Sequence, residues 1–447
     1  MPRAIAITGL GAVSGLGVGI TPLWEGLCAG QSALGPMEAF DPSGFDCRLG
    51  GHASAFKARD WAPKSYRKAV RLMARDIELA VGAAQLAVED AGMVTRHMEG
   101  EPTCPGDRLG CHIGAGLIAT EANELASALS TAADADGSGF SWTRWGTEEE
   151  GEGAMGNLPP LWMLKYLPNM LSCHVTIIHG AEGPSNTHTN AEASGLLSLG
   201  EAARVIERDQ ADVCLAGSAE SKINLVGWAR MSKADRLAPT GDTTDGAEVV
   251  RPFDPDAPGE LLGEAGGILI VEEAQAARAR GARVYAEIAG FGAGQSAGAL
   301  LPPWPTFDET PASEGLVSAI DSALRDAGIG ADEIDAIVPQ GVGSTHADAG
   351  EARALRAVFG DRLSEIPLIT WTPNIGGCLA GNGGVQAAIA AKAVAEGVLP
   401  ARVHRGQPMD GLCAESAASE KRPLRFVLAC ASAYGGPCAA LIVRAAD

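Results

Sequence analysis

The chain carries an internal repeat of alternating helices and strands, and this repeat restricts its fold more than any other feature. In the first half, a helix predicted over 77–92 ends at a glycine and is followed by the apolar strand 109–116. The same order returns at 317–328 and 334–343, where a helix ending in glycine again precedes a strand that runs into a glycine turn. Two copies of this pattern predict two similar α/β halves packed against each other.

A second pair of segments extends the repeat. Residues 194–206 and 383–394 both predict helices that are rich in small residues and are entered through glycine or asparagine. Each half then ends in an apolar strand, at 267–272 and at 439–443. Aromatic residues make up only 5% of the chain, which suits helices packed closely against buried sheets.

Five segments, in order along the chain, resemble the β-ketoacyl synthase family of the thiolase superfamily. They are the strand 5–14, residues 167–180, residues 182–185, the strand 211–220, and residues 251–254 with 262–267. The resemblance covers nearly the whole chain and implies a thiolase fold, in which two similar βαβαβαββ halves form a five-layered α-β-α-β-α core. We assign residues 1–275 to an N-terminal half with dimer-interface and acidic-loop insertions, and residues 276–447 to a C-terminal half.

The chemistry that this resemblance implies depends on three residues that the chain does not have. The family uses a cysteine at a helix N-terminus, where the helix dipole favours the thiolate, and two histidines that assist decarboxylation of malonyl-carrier protein. Here the nucleophile position falls on Glu192, the first histidine position on Gly341 and the second on Cys378. We therefore expect no intact catalytic residue, because a carboxylate is a poor acceptor for transthioesterification.

The gating loop of the family is also altered. Ser432 occupies the position at which the family has a bulky phenylalanine that changes conformation to open the pocket. The candidate pocket or gate residues are therefore Ser432, Tyr434, Gly435 and Gly436. His346 is a further candidate, because it lies close enough to the missing first histidine to replace it. Cys378 could be a displaced thiol, but a buried free cysteine behaves mostly as a small apolar residue.

Family members that have lost the nucleophile are known chiefly as the chain length factor, or ketosynthase β subunit, of type II polyketide synthases. This chain resembles that subunit. The resemblance predicts a non-condensing subunit that forms a heterodimer with a catalytic ketosynthase and shapes the acyl tunnel during carrier-protein-dependent polyketide or polyene elongation. Two alternatives stay open. One is a homodimeric malonyl-carrier-protein decarboxylase or acyltransferase that uses Glu192 or a displaced residue such as His346. The other is a carrier-protein scaffold without a tunnel role.

Two surfaces are expected to meet the partners. The stretch 161–170 is apolar and precedes the helix that resembles the family's interface helix, so it is the expected contact with the ketosynthase subunit. A basic stretch at 64–75 is the candidate docking site for the acidic acyl carrier protein. The interface candidates are Trp162, Met163, Tyr166, Met170 and His174, and the docking candidates are Lys64, Arg67, Lys68 and Arg71.

Composition limits the other partners. The 34 basic and 55 acidic residues give a net charge of −21, which argues against nucleic acid and anionic membranes. The ten cysteines include no Cys-x-x-Cys pair, and the spacing of His174, His179 and His188 does not form a helical metal-binding face. We expect no metal and no resident cofactor, since the acyl carrier protein presents its own phosphopantetheine arm. Without a signal peptide or membrane-length apolar run, a cytoplasmic location is expected.

Overall fold

The computed structural model describes residues 3–134, 136–146, 153–296 and 308–446. The strands are β1 (Ile5–Ser14), β2 (Gly17–Val18), β3 (Leu34–Pro36), β4 (Leu49–Gly51), β5 (Leu109–Gly114), β6 (Ser185–His188), β7 (Val213–Ser221), β8 (Glu264–Glu273), β9 (Ala286–Gln295), β10 (Ala336–Val338), β11 (Val398–Leu399), β12 (Glu420–Lys421), β13 (Phe426–Ser432) and β14 (Pro437–Arg444).

Helices of very different length connect these strands. The helices are α1 (Ile20–Cys28), α2 (Ala58–Trp61), α3 (Arg75–Asp90), α4 (Ala122–Ala132), α5 (Trp142–Trp145), α6 (Trp162–Lys165), α7 (Met170–His179), α8 (Ser194–Glu207), α9 (Leu225–Lys233), α10 (Ala274–Ala279), α11 (Glu314–Ala327), α12 (Thr345–Phe359), α13 (Thr372–Ile375) and α14 (Asn382–Glu396). Within the described ranges, no helix combines the length and the apolar character that crossing a membrane requires.

The sheet reproduces the repeat that the sequence predicts. The strand order in the N-terminal half is β6-β5-β7-β8-β1, and in the C-terminal half it is β10-β13-β14-β9. The place that β6 takes in the first half is taken in the second by a single bridge between Ile337 and Leu368. In both halves the first strand lies at the end of the order, and the two first strands, β1 and β9, pair with each other antiparallel.

The layers follow from which helices pack on which strands. Helix α3 covers one face of the first half-sheet, and α11 covers the corresponding face of the second half-sheet. Helices α8 and α14 contact each other and contact strands of both halves, so they form the shared middle layer. The order α3, first half-sheet, α8 with α14, second half-sheet, α11 confirms the expected five-layered core.

Close packing in the middle layer depends on glycines near the start of α8 and α14. A Cβ atom at Gly383 would lie 2.4 Å from the backbone nitrogen of Leu196 and 2.8 Å from the Cα of Gly195. A Cβ atom at Gly195 would in turn lie 2.7 Å from the backbone nitrogen of Gly384. The small residues read from the sequence therefore allow the two helix N-termini to touch backbone to backbone.

Two stretches singled out in the sequence contain little regular structure. The first is the basic stretch 64–75. It consists of turns and the 3-10 helix Ala69–Leu72, and α3 begins only at Arg75. Within 334–343, β10 spans Ala336–Val338, and Gly341 and Gly343 with positive φ follow it, as expected of a strand that runs into a glycine turn.

We predict that Gly383→Ala destabilises the protein. Alanine gains helix propensity over glycine, but its Cβ would meet backbone atoms that cannot move without shifting a helix, so we expect a net loss of ~1–3 kcal/mol. Urea unfolding followed by circular dichroism measures the change. Gly35→Ala is the matched control, because a Cβ there meets nothing within 4 Å. Equal stability of the two variants would contradict the close packing of α8 and α14.

Candidate functional site

Glu192 lies where the sequence comparison placed it, at the N-terminal end of the middle-layer helix α8. It belongs to the 3-10 turn Ala191–Ala193, which continues directly into α8. Ala191 has φ of 48°, a left-handed conformation that is uncommon for a residue with a Cβ atom and that often marks functional turns. The side chain of Glu192 is 1% exposed. The turn thus buries a carboxylate beside a helix N-terminus, whose partial positive charge favours an anion.

Arg236 holds the carboxylate of Glu192. Its Nη2 lies 2.7 Å from Oε1 of Glu192, and its Nε donates a hydrogen bond to Oε1 of Glu260. The side chain of Arg236 is 9% exposed and that of Glu260 is 0% exposed. One guanidinium therefore bridges two buried carboxylates, and we call these three residues the buried ion cluster.

The buried ion cluster carries an excess of negative charge. Burial raises the pKa of Glu260, and the neighbouring Glu192 raises it further, while Arg236 acts against both effects. Burial lowers the pKa of Arg236, but the two carboxylates outweigh it and hold that pKa well above its usual value. Oε2 of Glu192 and Oε2 of Glu260 have no hydrogen-bond partner among the described residues. The arginine is thus firmly charged, and Glu260 is the carboxyl that takes up a proton more readily than in water.

The backbone at the position of the first family histidine favours glycine. Gly341 has φ of +44°, and a Cβ atom there would approach the Phe253 ring to 3.0 Å. Its N–H donates to Oε2 of Glu351 at 2.9 Å, and its carbonyl accepts a hydrogen bond from Thr372. The loop after β10 is therefore built around glycine, and an imidazole does not fit at 341 without rearrangement.

Cys378, at the second histidine position, is a buried thiol. Its Sγ lies 3.4 Å from the carbonyl oxygen of Gly376, and its N–H donates to Oδ1 of Asn382 at 2.7 Å. Burial raises the pKa of the Cys378 thiol, and Glu264 and Glu220 raise it further. A thiol in this state stays protonated at neutral pH, so Cys378 lacks the thiolate that a nucleophile needs.

The fold brings the altered positions together. The turn that carries Glu192 packs against the 3-10 turn Leu379–Gly381, which directly follows Cys378. A Cβ atom at Gly377 would lie 3.2 Å from Oε2 of Glu260, so the buried ion cluster reaches the residue next to Cys378. Thr372 donates a hydrogen bond to the carbonyl oxygen of Gly341. Thr372 precedes Cys378 by six residues, so this bond connects the first histidine position to the segment that carries the second.

The candidate gate residues border a cavity of about 340 Å³. Ser432, Tyr434, Gly436 and His346 all contribute to its lining, whereas Gly435 is exposed and is not part of that lining among the described residues. Nε2 of His346 lies 3.1 Å from the hydroxyl of Tyr434. Burial, with help from the charge of Arg236, lowers the pKa of His346 to about 4, so its imidazole is neutral at neutral pH.

Two buried carboxyl groups shape the loop that forms one wall of the cavity. Asp348 accepts N–H bonds from Val342, Gly343 and Phe253, and Glu351 accepts them from Gln340 and Gly341. Burial raises the pKa of both carboxyl groups to about 7. These two residues hold the glycine-rich loop in place and do not extend into a second ionic site.

The sequence did not reveal Arg236 or Glu260. Arg236 lies 44 residues from Glu192, and it follows a helix whose other basic residues face solvent. Glu260 precedes the glycine-rich signature that identified the family, but its position alone does not distinguish it from a surface acid. A charge that is buried in the fold leaves no local pattern in the sequence, so only the tertiary contacts assign these residues.

The interface candidates divide into exposed and buried side chains. Met163 is 56% exposed, and Trp162 and Met170 are half-buried. Tyr166 and His174 are buried within the chain. Tyr166 donates its hydroxyl hydrogen bond to Glu124 at 2.7 Å, and Nδ1 of His174 lies 2.8 Å from the hydroxyl of Tyr66. Both side chains are thus bonded inside this chain, and their contact with a partner stays a prediction.

The other expected features lie as follows. The docking candidates Lys64, Arg67, Lys68 and Arg71 are all exposed. His179 is buried against Thr95, with 3.0 Å between Nδ1 and Oγ1, which is a packing role. In the acidic segment, Phe140 contacts Trp142 and Trp145 with ring centroids 5.0 and 5.6 Å apart, but residues 147–152 lie outside the described residues.

Comparison with known proteins identifies relatives of the whole chain. Residues 2–277 match the family profile of the N-terminal domain of β-ketoacyl synthases, and residues 285–405 match that of the C-terminal domain. A curated relative, 3-oxoacyl-[acyl-carrier-protein] synthase 2 of Synechocystis sp., is 28% identical over 97% of this chain and 95% of its own length.

Solved structures show the same fold. The ishigamide ketosynthase/chain length factor aligns over 100% of both chains with a TM-score of 0.82 and 27% identity. A type II polyketide synthase ketosynthase, solved in complex with its acyl carrier protein, aligns over 100% of both chains with a TM-score of 0.80 and 21% identity. These likenesses confirm the thiolase-type fold.

We predict that Arg236→Met strongly destabilises the protein and does so more at high pH. Glu192 and Glu260 would then be buried without a cation, and we expect a loss of ~3–5 kcal/mol at neutral pH. Burial already raises the pKa of Glu260, and without Arg236 nothing in the buried ion cluster opposes this, so stability would be greatest below about pH 4 and would fall as the pH rises. Urea unfolding at pH 5 and pH 8 measures both effects.

Two further variants control this prediction. Arg425→Met removes an arginine whose side chain is 75% exposed and should change stability by less than ~0.5 kcal/mol. Adding Glu192→Gln to Arg236→Met should restore part of the loss, since one unpaired charge disappears. A small, pH-independent effect of Arg236→Met would show that the buried ion cluster does not stabilise the fold.

Proposed function

Because this chain belongs to the β-ketoacyl synthase family but carries a salt-bridged glutamate at the nucleophile position, we propose that it is a non-condensing ketosynthase subunit of the chain length factor type. It pairs with a catalytic ketosynthase and shapes the acyl tunnel while a carrier-bound polyketide or polyene chain is extended. The bond between Glu192 and Arg236 carries this proposal. Through this bond, the residue at the nucleophile position forms a buried ion pair and is not available as a nucleophile.

Glu192 is badly placed for covalent or enolate chemistry. Its carboxylate is buried and bonded to Arg236, so acylation would have to break a buried ion pair and form a reactive mixed anhydride. Decarboxylation would place an enolate next to two carboxyl groups, which opposes the developing negative charge. These arguments weigh against the decarboxylase alternative that depends on Glu192.

The sheet edge formed by β6 has the features of a surface that binds a partner subunit. Strand β6 ends the sheet order, and its first two residues, Ser185 and Asn186, are exposed. Helix α7 packs on β6 and presents Ile177, which is 55% exposed, while Leu117 follows β5 and is 67% exposed. An unpaired sheet edge beside exposed apolar side chains is a surface that folded proteins usually cover.

The relatives support the same assignment from two directions. The curated relatives are named as 3-oxoacyl-carrier-protein synthases, which places carrier-bound acyl chains in the chemistry of the family. The ishigamide structure is named as a ketosynthase/chain length factor. A chain without the cysteine and both histidines fits the non-catalytic member of such a pair.

A carrier protein has a surface and a cavity available in this chain. Lys64, Arg67, Lys68 and Arg71 form an exposed basic cluster on a protein of net charge −21, and such a cluster attracts an acidic partner. The cavity beside Tyr434 and His346 has a volume of about 340 Å³, the size of a small-molecule pocket, and in this proposal it lies near the phosphopantetheine arm that the carrier brings. In this proposal the chain needs no cofactor of its own.

The partner prediction is tested by copurification. When the tagged protein is isolated from its host, we expect a second ketosynthase with an intact cysteine in ~1:1 amount. Ile177→Asp should reduce its recovery at least ~10-fold, because a buried, unpaired charge at an interface costs several kcal/mol. Arg325→Asp, an exposed change on the outer helix α11, is the matched control and should leave recovery unchanged.

Other outcomes of that isolation discriminate between the alternatives. A homodimer that decarboxylates malonyl-carrier protein by itself would contradict the proposal and would support an enzyme acting through His346 or Glu192. A stable complex with carrier proteins but without a second ketosynthase would support the scaffold alternative.

The docking prediction concerns the basic cluster. In the reconstituted heterodimer, Arg67→Glu with Lys68→Glu should raise the apparent KM for the carrier protein at least ~5-fold at low salt, with a smaller effect at high salt, because screening weakens surface attraction. Lys421→Glu with Arg425→Glu reverses two exposed charges elsewhere and serves as the control. Equal effects of the two pairs would mean that the carrier does not dock on the 64–71 cluster.

A further inference from the structure

Exposed large apolar side chains are concentrated in one short part of the chain. Among the described residues, nine such side chains are exposed, and six of them lie between 129 and 163. Trp142 is 78% exposed, more than any other of the nine. Single exposed apolar side chains are ordinary on a protein surface, whereas a local concentration of them marks a binding surface. Four of the six belong to residues 122–158, which we call the 122–158 subdomain: Leu129, Phe140, Trp142 and Met155.

The 122–158 subdomain has small side chains in its core and large ones on its surface. Helix α4 packs on α5 and on the 3-10 turn Ala154–Asn157. Phe140 and Trp142 lie edge to face with ring centroids 5.0 Å apart, and both remain exposed. Three alanines bury little apolar area, so most of the apolar surface of the subdomain is left for a contact outside it. The described core consists of Ala128, Ala132 and Ala154, with Trp145 and Leu158 partly buried against it.

The subdomain offers side chains to a partner and does not offer the edge of a strand. Its described residues form helices, turns and one isolated bridge, between Ala133 and Phe140. A partner therefore cannot bind here by adding a strand, and it has to cover the exposed rings together with Leu129 and Met155. An amphipathic helix is suited to this contact, because its apolar side chains all lie on one face.

The charge of the subdomain determines which polar residues such a helix should carry. Residues 122–158 contain seven acidic residues and one basic residue, so these 37 residues carry −6 of the net charge of −21. The basic residue, Arg144, already forms an ion pair with Asp134. Four of the acidic residues, at 148, 149, 150 and 152, lie outside the described residues. A segment of this charge attracts lysine and arginine side chains and repels acidic proteins and anionic membranes.

We propose that the 122–158 subdomain is a docking surface for an amphipathic basic helix of another protein. Trp142 is the anchor of this surface, because exposed tryptophans that become buried contribute most to the affinity of an interface. Phe140, Leu129 and Met155 complete the apolar contact, and the lysines or arginines of the helix face the acidic residues. The surface uses neither the β6 edge nor the basic cluster at 64–71, so this inference does not rest on the proposed function.

The test uses the full chain and a synthetic helical peptide of leucine and lysine that has all its leucines on one face. Isothermal titration calorimetry measures the Kd. One control peptide has glutamate in place of lysine, and a second has the same composition in a scrambled order, which removes the apolar face. We expect only the leucine–lysine helix to bind, with a Kd that rises with the salt concentration, because salt screens the attraction between surface charges.

Three variants of the protein locate the contact. Trp142→Ser should raise the Kd of the leucine–lysine helix at least ~10-fold, because it removes the anchor. Leu129→Ser tests the same surface through a second side chain and should raise the Kd at least ~3-fold. Leu225→Ser is the matched control. Leu225 and Leu129 are both 44% exposed, but Leu225 lies on α9, outside the subdomain, so the Kd should stay within ~2-fold of the parent.

Two results would overturn the docking surface. One is equal binding of the lysine and glutamate helices, or a Kd that is unchanged by both Trp142→Ser and Leu129→Ser. The other is binding to phosphatidylcholine vesicles that is lost in Trp142→Ser, in a protein that does not bind the leucine–lysine helix. That second result would assign the exposed side chains to a lipid surface. Thermal unfolding of each variant shows that a change in Kd does not come from loss of the fold.

Discussion

The ion pair between Arg236 and Glu192 is the constraint on which the altered site depends. A buried carboxylate without a partner is destabilising by several kcal/mol, so a glutamate cannot simply occupy this position. The guanidinium that neutralises it also binds Glu260 and supports the ring of Tyr434. One side chain therefore accounts for the burial of Glu192 and limits the rise in the pKa of Glu260 that burial and Glu192 cause.

The N-terminus of α8 stabilises a buried carboxylate in this chain, whereas in the family chemistry the same helix terminus stabilises a reactive thiolate. At the N-terminus of a helix, the dipole stabilises a thiolate, and the sulfur remains a strong nucleophile because it is exposed to its substrate. Here the dipole stabilises a carboxylate that is 1% exposed and is already bonded. The turn keeps its strained backbone, with Ala191 at φ of 48°, although the group that it presents is not directed at a substrate. The architecture of a nucleophile site has thus been kept while its reactivity is lost.

The sequence predicts the framework better than it predicts the site. The repeat, the glycine-ended helices and the small residues of α8 and α14 act locally, so their patterns are visible in the chain, and the five-layered core follows from them. The loss of the three family residues is also visible at Glu192, Gly341 and Cys378. What compensates for that loss is not visible, because Arg236 and Tyr434 reach Glu192 only through tertiary contacts. The partners of Tyr166 and His174 are hidden for the same reason, since Glu124 and Tyr66 lie 42 and 108 residues away.

The contacts around the altered positions show whether the site lost its catalytic residues with or without compensating changes. If the cysteine and histidines had been lost without further change, small residues would leave a void and a charged one would be left unpaired, and both cost stability. Instead, Gly341 is held by Glu351, Glu192 by Arg236, and Tyr434 by Arg236 and His346 together. A site packed in this manner keeps the loop after β10, the turn before α8 and the gate loop in fixed relation. In the proposed heterodimer, those are the elements that a neighbouring subunit would need as a rigid wall, and the bonds that fill the site would keep them in place.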